Sequence, residues 1–298
     1  MTVLATKRLP GPAWDELAEV EIGRPDRLRD DVEAWIVVGE RVSDAELDLL
    51  PRLRLVANYG VGYDRVDVDA CRARGVAVTN TPGILDAATA DLAFALLLAV
   101  RRRVVAGDRA IRAGEWSYGW SDVPTLTGDV SGATLGIVGL GRIGSALARR
   151  AAGFDMRILY ASRTTVDDRY ERRELDDLLR ESDIVSLHVP LSAATAGLID
   201  ARRLALLRDG ATLVNTARGD VVDEAALVRE LVSGRIEAGL DVFAHEPAVP
   251  AELLDLPNVV LTPHVGSATT ATRAAMTGVV VENVLALQRG EPLVTPVP

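Results

Sequence analysis

Cysteine is almost absent: Cys71 stands alone in 298 residues. An internal disulfide and any thiolate-rich metal site are thereby excluded, and such sparse thiol usage points to a reducing, cytoplasmic setting. Cys71 itself reads as an inert helix residue. Histidine is scarce too, and no two of His188, His245 and His264 have metal-ligand spacing, so no bound metal is expected. Basic charge is in deficit, with 33 Lys and Arg against 43 Asp and Glu and a formal net charge of -10. The resulting field repels nucleic acid and anionic membrane, and neither is expected as a partner. Long apolar runs are missing. The longest, Leu92 to Val100, falls far short of the ~20 residues that a membrane span needs, and Met1 to Pro10 lacks the apolar core of a signal peptide. The one dense basic run, Arg101-Arg102-Arg103, reads as the solvated end of a helix.

What remains is a globular composition, 48% hydrophobic and 26% charged, at a length that suggests two domains at ~150 residues each. Short apolar runs at Val3 to Ala5, Ala34 to Val38, Leu53 to Ala57 and Val76 to Val78 read as strands. Helical patterns over Trp14 to Val20, Ala45 to Leu50 and Val66 to Arg74 lie between them. Ser43 and Glu46 have capping-box spacing at one helix start. From Asp86 to about Ala113 the pattern predicts one long helix crossing between domains. Gly114 to Asp129 has no periodicity and reads as a loop, with Trp116 and Trp120 as packing anchors at a domain or subunit seam and Pro124 between them and the next element.

Six further strand-like runs follow: Thr134 to Val138, Met156 to Tyr160, Ile184 to Leu187, Thr212 to Asn215, Glu237 to Leu240 and Val259 to Leu261. Helical patterns at Arg142 to Ala152, Leu175 to Arg180, Ala201 to Leu207 and Asp223 to Leu231 alternate with them, which implies an α/β fold with a doubly wound parallel sheet. The last helix, Ala271 to Gln288, is stopped by Gly290 and Pro292. Because the first half is short of elements, this helix is expected to return to it. The expected division is residues 1–96 with 269–298 as a discontinuous substrate domain, and 97–268 as an inserted dinucleotide-binding domain.

In such a sheet, ligands bind beyond the carboxyl ends of the strands, so the residues after each run form a list of site candidates. The first is Gly139-Leu140-Gly141-Arg142-Ile143-Gly144, a G-x-G-x-x-G between a buried run and a helical pattern. Alone it marks any strand-to-helix turn. In this context Gly139 allows the tight turn, Gly141 lets backbone approach a pyrophosphate, and Gly144 lets the helix pack on its strand. After the next run comes Ala161-Ser162-Arg163-Thr164, with no carboxylate before Asp167. An acidic residue there would bind a ribose 2′-hydroxyl, whereas cations and hydroxyls suit a 2′-phosphate, so NADP is favoured and NAD remains a possible cofactor. The alternative is that Arg163 is a plain surface arginine. Next on the list are His188, then Thr216-Ala217-Arg218, Asp241 and His264. Glu246 follows Asp241 closely enough to reach the His264 imidazole and fix its tautomer, while His188 faces the cofactor cleft and His245 the loop surface. Arg218 has two readings, a bidentate grip on a carboxylate or a structural pair with Asp220 or Asp223.

Taken together, Asn58-Tyr59-Gly60-Val61-Gly62-Tyr63-Asp64, Asn80-Thr81-Pro82-Gly83, Gly139 to Gly144, Asn215 to Gly219, Gly239 to Phe243 with Glu246-Pro247, and Leu261 to His264 resemble the D-isomer-specific 2-hydroxyacid dehydrogenases. The resemblance extends to their glyoxylate and hydroxypyruvate reductases and spans nearly the whole chain. It implies two Rossmann-like or flavodoxin-like domains closing over the cofactor, and a homodimer acting on small 2-oxo or 2-hydroxy acids. It also implies roles. His264 becomes the acid/base, Glu246 keeps it protonated, and Arg218 holds the substrate carboxylate together with the backbone N–H groups of Val61 and Gly62. Asp241 orients the nicotinamide carboxamide. The implied cofactor contacts comprise Gly139, Gly141, Arg142, Ile143 and Gly144 at the phosphates and Ser162, Arg163 and Thr164 at the ribose. His188, Pro190, Thr195, Thr216, Ala217, Arg218, Asp241 and His264 complete the set. Two rival readings share the fold: a nucleotide-sensing interaction module related to transcriptional corepressors, and a phosphoglycerate-type dehydrogenase. The latter is disfavoured because no length remains after the last helix for a regulatory domain.

Overall fold

The computed structural model describes residues 1–117, 119–120 and 126–298; Pro124 of the expected loop lies outside them. In chain order the elements begin with β1 (Thr2–Ala5), β2 (Val20–Ile22), β3 (Val32–Val37), α1 (Asp44–Asp48), β4 (Leu55–Asn58), α2 (Val68–Ala73) and β5 (Ala77–Thr79). Next come α3 (Asp86–Arg101), α4 (Val104–Arg112), β6 (Thr134–Val138), α5 (Arg142–Ala152), β7 (Arg157–Ala161), β8 (Glu171–Arg172) and α6 (Leu175–Glu181). The chain ends with β9 (Ile184–Leu187), α7 (Ala201–Leu204), β10 (Thr212–Asn215), α8 (Glu224–Val232), β11 (Glu237–Leu240), β12 (Val259–Leu261) and α9 (Thr270–Arg289).

Two compact units result, residues 1–88 with 267–298, and residues 89–266. The first holds a five-stranded parallel sheet in the order β2-β1-β3-β4-β5, the flavodoxin-like order. Its strands are apolar on both faces, as a sheet covered on two sides requires; Ala34, Ile36, Val37, Leu55, Val56 and Ala57 are all fully buried. The last helix does return to this unit, where α9 packs on β4 and on the 3-10 turn Pro12–Glu16. At α1 the Glu46 carboxylate accepts from both the backbone N–H and the hydroxyl of Ser43, so the capping spacing read in the sequence is realised. Cys71 is buried in α2, and burial pushes its thiol up to about 11, as suits an inert residue.

The second unit carries seven parallel strands ordered β12-β11-β10-β9-β6-β7-β8. Strand β6 is the switch point, because the next strand in sequence, β7, lies on one side and β9 on the other. Helix α3 belongs here. Ala90, Ala93, Phe94, Leu96 and Leu97 pack with Leu135, Ile137 and Val214 in one core, and a Cβ on Gly239 of β11 would lie 2.9 Å from that of Leu96. That contact draws the division between units to residue 88, ahead of the expected position at 96. Gly136 plays the same part inside β6: a Cβ there would meet Ser182 Oγ at 2.3 Å and Leu178 Cδ2 at 2.5 Å.

Several expectations need correction. The helix expected over Trp14 to Val20 is a 3-10 turn followed by the edge strand β2, whose three residues are too few and too exposed to show a period. The long helix expected from Asp86 breaks at Arg103, which takes a left-handed φ of 52°. The arginine triplet is not simply solvated. Arg101 donates to the carbonyls of Gly210 and Asp129, and Arg103 to the Pro257 carbonyl and the Glu237 carboxylate (2.6 Å). These tertiary bonds bind the helix break to the amino-terminal edge of the sheet. Trp116 and Trp120 are 63% and 89% exposed, so among the described residues they are not packing anchors at a domain seam. Among the described residues no helix is long and apolar enough to cross a membrane.

Substituting Gly136→Ala is expected to overpack the β6–α6 contact and cost about 1–3 kcal/mol, read as a lower urea midpoint at unchanged slope. An unchanged midpoint would show that α6 can slide off the sheet at no cost.

Candidate active site

The glycine loop leaves β6 at the switch point of the second sheet. Gly139 has φ 97°, and a Cβ there would sit 2.6 Å from the His188 carbonyl oxygen, so both conformation and contact demand glycine. Gly144 is fixed by packing, since its Cβ would meet the Gly139 carbonyl at 2.2 Å. Gly141 differs: nothing lies within 4 Å of its missing Cβ. No protein contact accounts for a glycine at that position, and open space at the first turn of an eleven-residue helix suits an anionic group drawn to its N–H donors. Arg142 and Ile143 occupy the first two helical positions. The donor set and the open face at Gly141 therefore fit a dinucleotide pyrophosphate.

Beyond β7, Ser162 Oγ accepts from the Thr165 N–H (3.1 Å) and shapes the turn, while Arg163 and Thr164 are exposed. Arg163 makes no ion pair or hydrogen bond among the described residues. The first carboxylate after the strand, Asp167, is held by Arg169 at 2.6 Å, and that bond lowers its pKa. Beyond β9, His188 shares a 2.9 Å hydrogen bond with the buried Ser186 hydroxyl, and burial pushes its imidazole down to about 4. Thr195 is turned inward to its own loop, where its hydroxyl accepts from the Ser192 N–H and donates to the Pro190 carbonyl. It thus shapes the Pro190 loop and has no hydroxyl proton left for a ligand. Thr216 Oγ1 is the reverse case, buried and without a partner among the described residues, which again fits a group that the chain does not itself supply.

At the end of β10, Asn215 organises its own turn by donating to the Arg218 carbonyl and accepting from the Ala217 N–H. Gly219 then passes so close to the next segment that a Cβ would lie 2.0 Å from the Phe243 carbonyl carbon. The Arg218 turn is thereby locked against residues 243–244. Asp223 caps α8 through the Ala226 N–H. Glu246 is bonded on both carboxylate oxygens: Oε1 accepts from the Phe243 N–H (3.1 Å) and Oε2 lies 2.8 Å from His264 Nδ1. An ionised carboxylate only accepts, so Nδ1 carries the proton toward Glu246 and Nε2 faces away from it. The His264 side chain is 48% accessible, and its backbone takes φ 52°.

What holds that left-handed residue is Asp241, which is 1% exposed. Its Oδ1 accepts from the Thr262 hydroxyl (2.6 Å) and the Val265 N–H (2.8 Å), its Oδ2 from the Gly266 N–H (2.9 Å), and its carbonyl from the His264 N–H (2.8 Å). Burial nevertheless raises its pKa. The resemblance implies that Asp241 is a cofactor contact; the geometry adds that its carboxylate clamps the turn that presents His264. Sequence reading missed this role because all its partners lie more than 20 residues away.

In the first unit, the loop after β4 is held by its carbonyls. The Gly60 carbonyl accepts from Asn58 Nδ2 and the Thr81 N–H, Val61 from Asn80 Nδ2 (2.8 Å), and Gly62 from Asn58 Nδ2 (3.0 Å). In a trans peptide the following N–H points opposite to its carbonyl. With the Gly60 and Val61 carbonyls fixed on the asparagines, the N–H groups of Val61 and Gly62 are turned away from them together, as an anion-binding nest requires. Asn58 and Asn80 stand in the motifs read from the sequence, but their function as carbonyl anchors was not legible there. His245 is exposed loop surface, and among the described residues no cluster of His, Cys, Asp or Glu could hold a metal ion.

Residues 94–266 match the family model described as D-isomer specific 2-hydroxyacid dehydrogenase, NAD binding domain. A glyoxylate reductase of Pyrococcus horikoshii is 52% identical over 264 residues, which is 86% of this chain and 79% of that protein. Among solved structures, a protein of Thermus thermophilus superposes with TM-score 0.93 at 44% identity over the whole of both chains. An NADPH-dependent glyoxylate/hydroxypyruvate reductase from Sinorhizobium meliloti, in complex with NADP and malonate, gives TM-score 0.89 at 37% identity over 99% of this chain and 96% of that one.

The depressed His188 imidazole has a thermodynamic consequence. An unfolded chain takes up this proton near pH 6.5, the folded chain only near pH 4, so the stability His188 contributes is complete above pH 6.5. It is lost as pH falls toward 4, by about 3 kcal/mol over that window. His188→Asn is therefore expected to shrink the drop in urea midpoint between pH 7 and pH 4.5. An equal drop in both proteins would exclude His188 as a source of the acid sensitivity.

Proposed function

The chain belongs to the D-isomer specific 2-hydroxyacid dehydrogenases and is an NAD(P)-dependent oxidoreductase that reduces 2-oxo acids; from that premise we propose that it prefers NADPH and acts on glyoxylate and hydroxypyruvate. The observation that carries the reading is the 2.8 Å His264–Glu246 pair at the carboxyl edge of the second sheet. When bound, the reduced nicotinamide supplies hydride to the substrate's carbonyl carbon. His264 gives its Nε2 proton to the carbonyl oxygen, on which negative charge grows, and Glu246 stabilises the imidazolium and fixes its orientation. Arg218 holds the substrate carboxylate and polarises the carbonyl, with the N–H groups of Val61 and Gly62 as further carboxylate donors. The glycine loop, His188, Thr216 and Ala217 serve the cofactor.

NADPH preference is supported by three features: Ala161 to Thr164 bring no carboxylate, Asp167 is engaged by Arg169, and Arg163 is exposed without a partner among the described residues. A homodimer in the cytoplasm completes the reading. Helix α4 has no buried residue and exposes Val104 and Ile111 along one stripe, beside exposed Trp116, Trp120 and Leu126. A nine-residue helix with so little packing is marginal alone, and an apolar surface of this kind suits a second copy of the chain.

Turnover of NADPH and of NADH against a panel of 2-oxo acids tests the first claim. His264→Ala is expected to lower kcat by about 10²- to 10⁴-fold with dinucleotide affinity kept, and retention of turnover would remove His264 from the chemistry. Arg163→Ala is expected to cut the NADPH-to-NADH ratio in kcat/KM by about 10- to 100-fold; an unmoved ratio would refute the assignment. Light scattering on the purified protein is expected to give a dimer mass that Trp120→Glu with Ile111→Glu reduces to a monomer. A monomer without substitution would overturn the assembly.

A further inference from the structure

We propose that the carboxy-terminal segment of the chain is a positioning strap for the oxo-acid carboxylate, acting through Thr295 and Asn80. The proposal rests on the reading that the Val61 and Gly62 N–H groups bind that carboxylate. Past α9 the chain does not trail away from the first unit. It runs antiparallel along β5, the edge strand of the first sheet, with Thr79 bridged to Pro296 and the Val297 N–H donating to the Val78 carbonyl (2.8 Å). Covering an exposed edge explains the pairing, but not the polar chain that begins beside it.

That chain starts at Asn283, a fully buried amide on α9. Its Oδ1 accepts from the N–H groups of Val294 and Thr295, and its Nδ2 donates to Thr295 Oγ1 (3.0 Å). The Thr295 hydroxyl then donates to the Asn80 carbonyl (2.6 Å), and the Asn80 N–H donates back to the Thr295 carbonyl (3.3 Å). Asn80 is thus gripped on both backbone groups while its side chain holds the Val61 carbonyl at 2.8 Å. A buried amide with no ionisable group fixes a threonine, the threonine fixes the backbone of Asn80, and Asn80 fixes the peptide plane whose N–H belongs to Gly62. Linked hydrogen bonds in a low dielectric reinforce one another, and the loop itself has no side chain at Gly60 or Gly62 with which to resist a peptide flip. Thr295 is therefore a positioning residue: it touches no substrate, and its function is to keep one donor aimed.

Steady-state kinetics with glyoxylate and saturating NADPH test this on the full-length chain. Thr295→Val, which keeps shape and removes both hydroxyl bonds, is expected to raise KM for glyoxylate five- to tenfold while kcat stays within twofold. The NADPH dissociation constant, read by nicotinamide fluorescence, should be unchanged. Thr295→Ser is expected to restore KM. Asn80→Ala, which frees the Val61 carbonyl directly, separates the proposal from its premise. If Asn80→Ala raises KM and Thr295→Val does not, the strap fails and the loop reading stands. If neither raises it, the carboxylate is bound elsewhere and both fail. An effect of Thr295→Val without one of Asn80→Ala overturns the route through Asn80, and a Thr295→Ser variant no better than valine overturns the role of the hydroxyl.

Discussion

A buried carboxylate with no ion pair among the described residues is the constraint on which the second unit's site depends. Asp241 ends β11 almost wholly out of water, and its charge is met by two backbone N–H groups and one hydroxyl. Removing an ionised group from water is costly unless its lone pairs are satisfied, and the raised pKa records the part of that cost that the hydrogen bonds leave. All of its side-chain partners come from one turn, residues 262–266. The same interaction that makes the burial tolerable therefore holds His264 in a backbone region that residues with a β-carbon rarely adopt. A helix or strand could not have presented the imidazole this way, since neither admits a positive φ.

Around that clamp, close backbone approaches do the remaining positioning. Gly219 lies against Phe243 and Ala244, Gly139 against His188, and Gly144 against Gly139. The first two bring the turns after neighbouring strands nearer than any side chain would permit, and the third packs α5 against its own loop. Of these four site glycines, Gly141 has no neighbour among the described residues within 4 Å of a Cβ position. The contrast separates glycines that serve the fold from the one that leaves room for something else.

Much of this was legible in the sequence. Strand runs with short apolar stretches, alternating with helical periods, gave the parallel architecture, and the rule that ligands gather at carboxyl ends picked out Gly139, His188, Thr216, Asp241 and His264 before any coordinates. The spacing of Glu246 from Asp241 was enough to propose its contact with His264, and the contact is present. Where periodicity was weak, reading failed: β2 and β8 have three and two residues, and the α3–α4 break depends on arginine bonds to carbonyls more than 25 residues distant. The anchoring roles of Asn58, Asn80 and Asp241 stayed hidden for the same reason. Composition and local pattern report what a residue is, whereas a clamp is defined by what it reaches.

The discontinuity of the first unit carries a consequence for the order in which the molecule is made. Its sheet lies within residues 2–79, yet α9 packs on β4 and the tail covers β5 only after residues 267–298 exist. A ribosome delivers every strand of the second unit before it delivers those last residues. The first unit therefore lacks the α9 wall and the cover of β5 until synthesis of the second unit is finished. Synthesis of the second unit thus ends before that of the first.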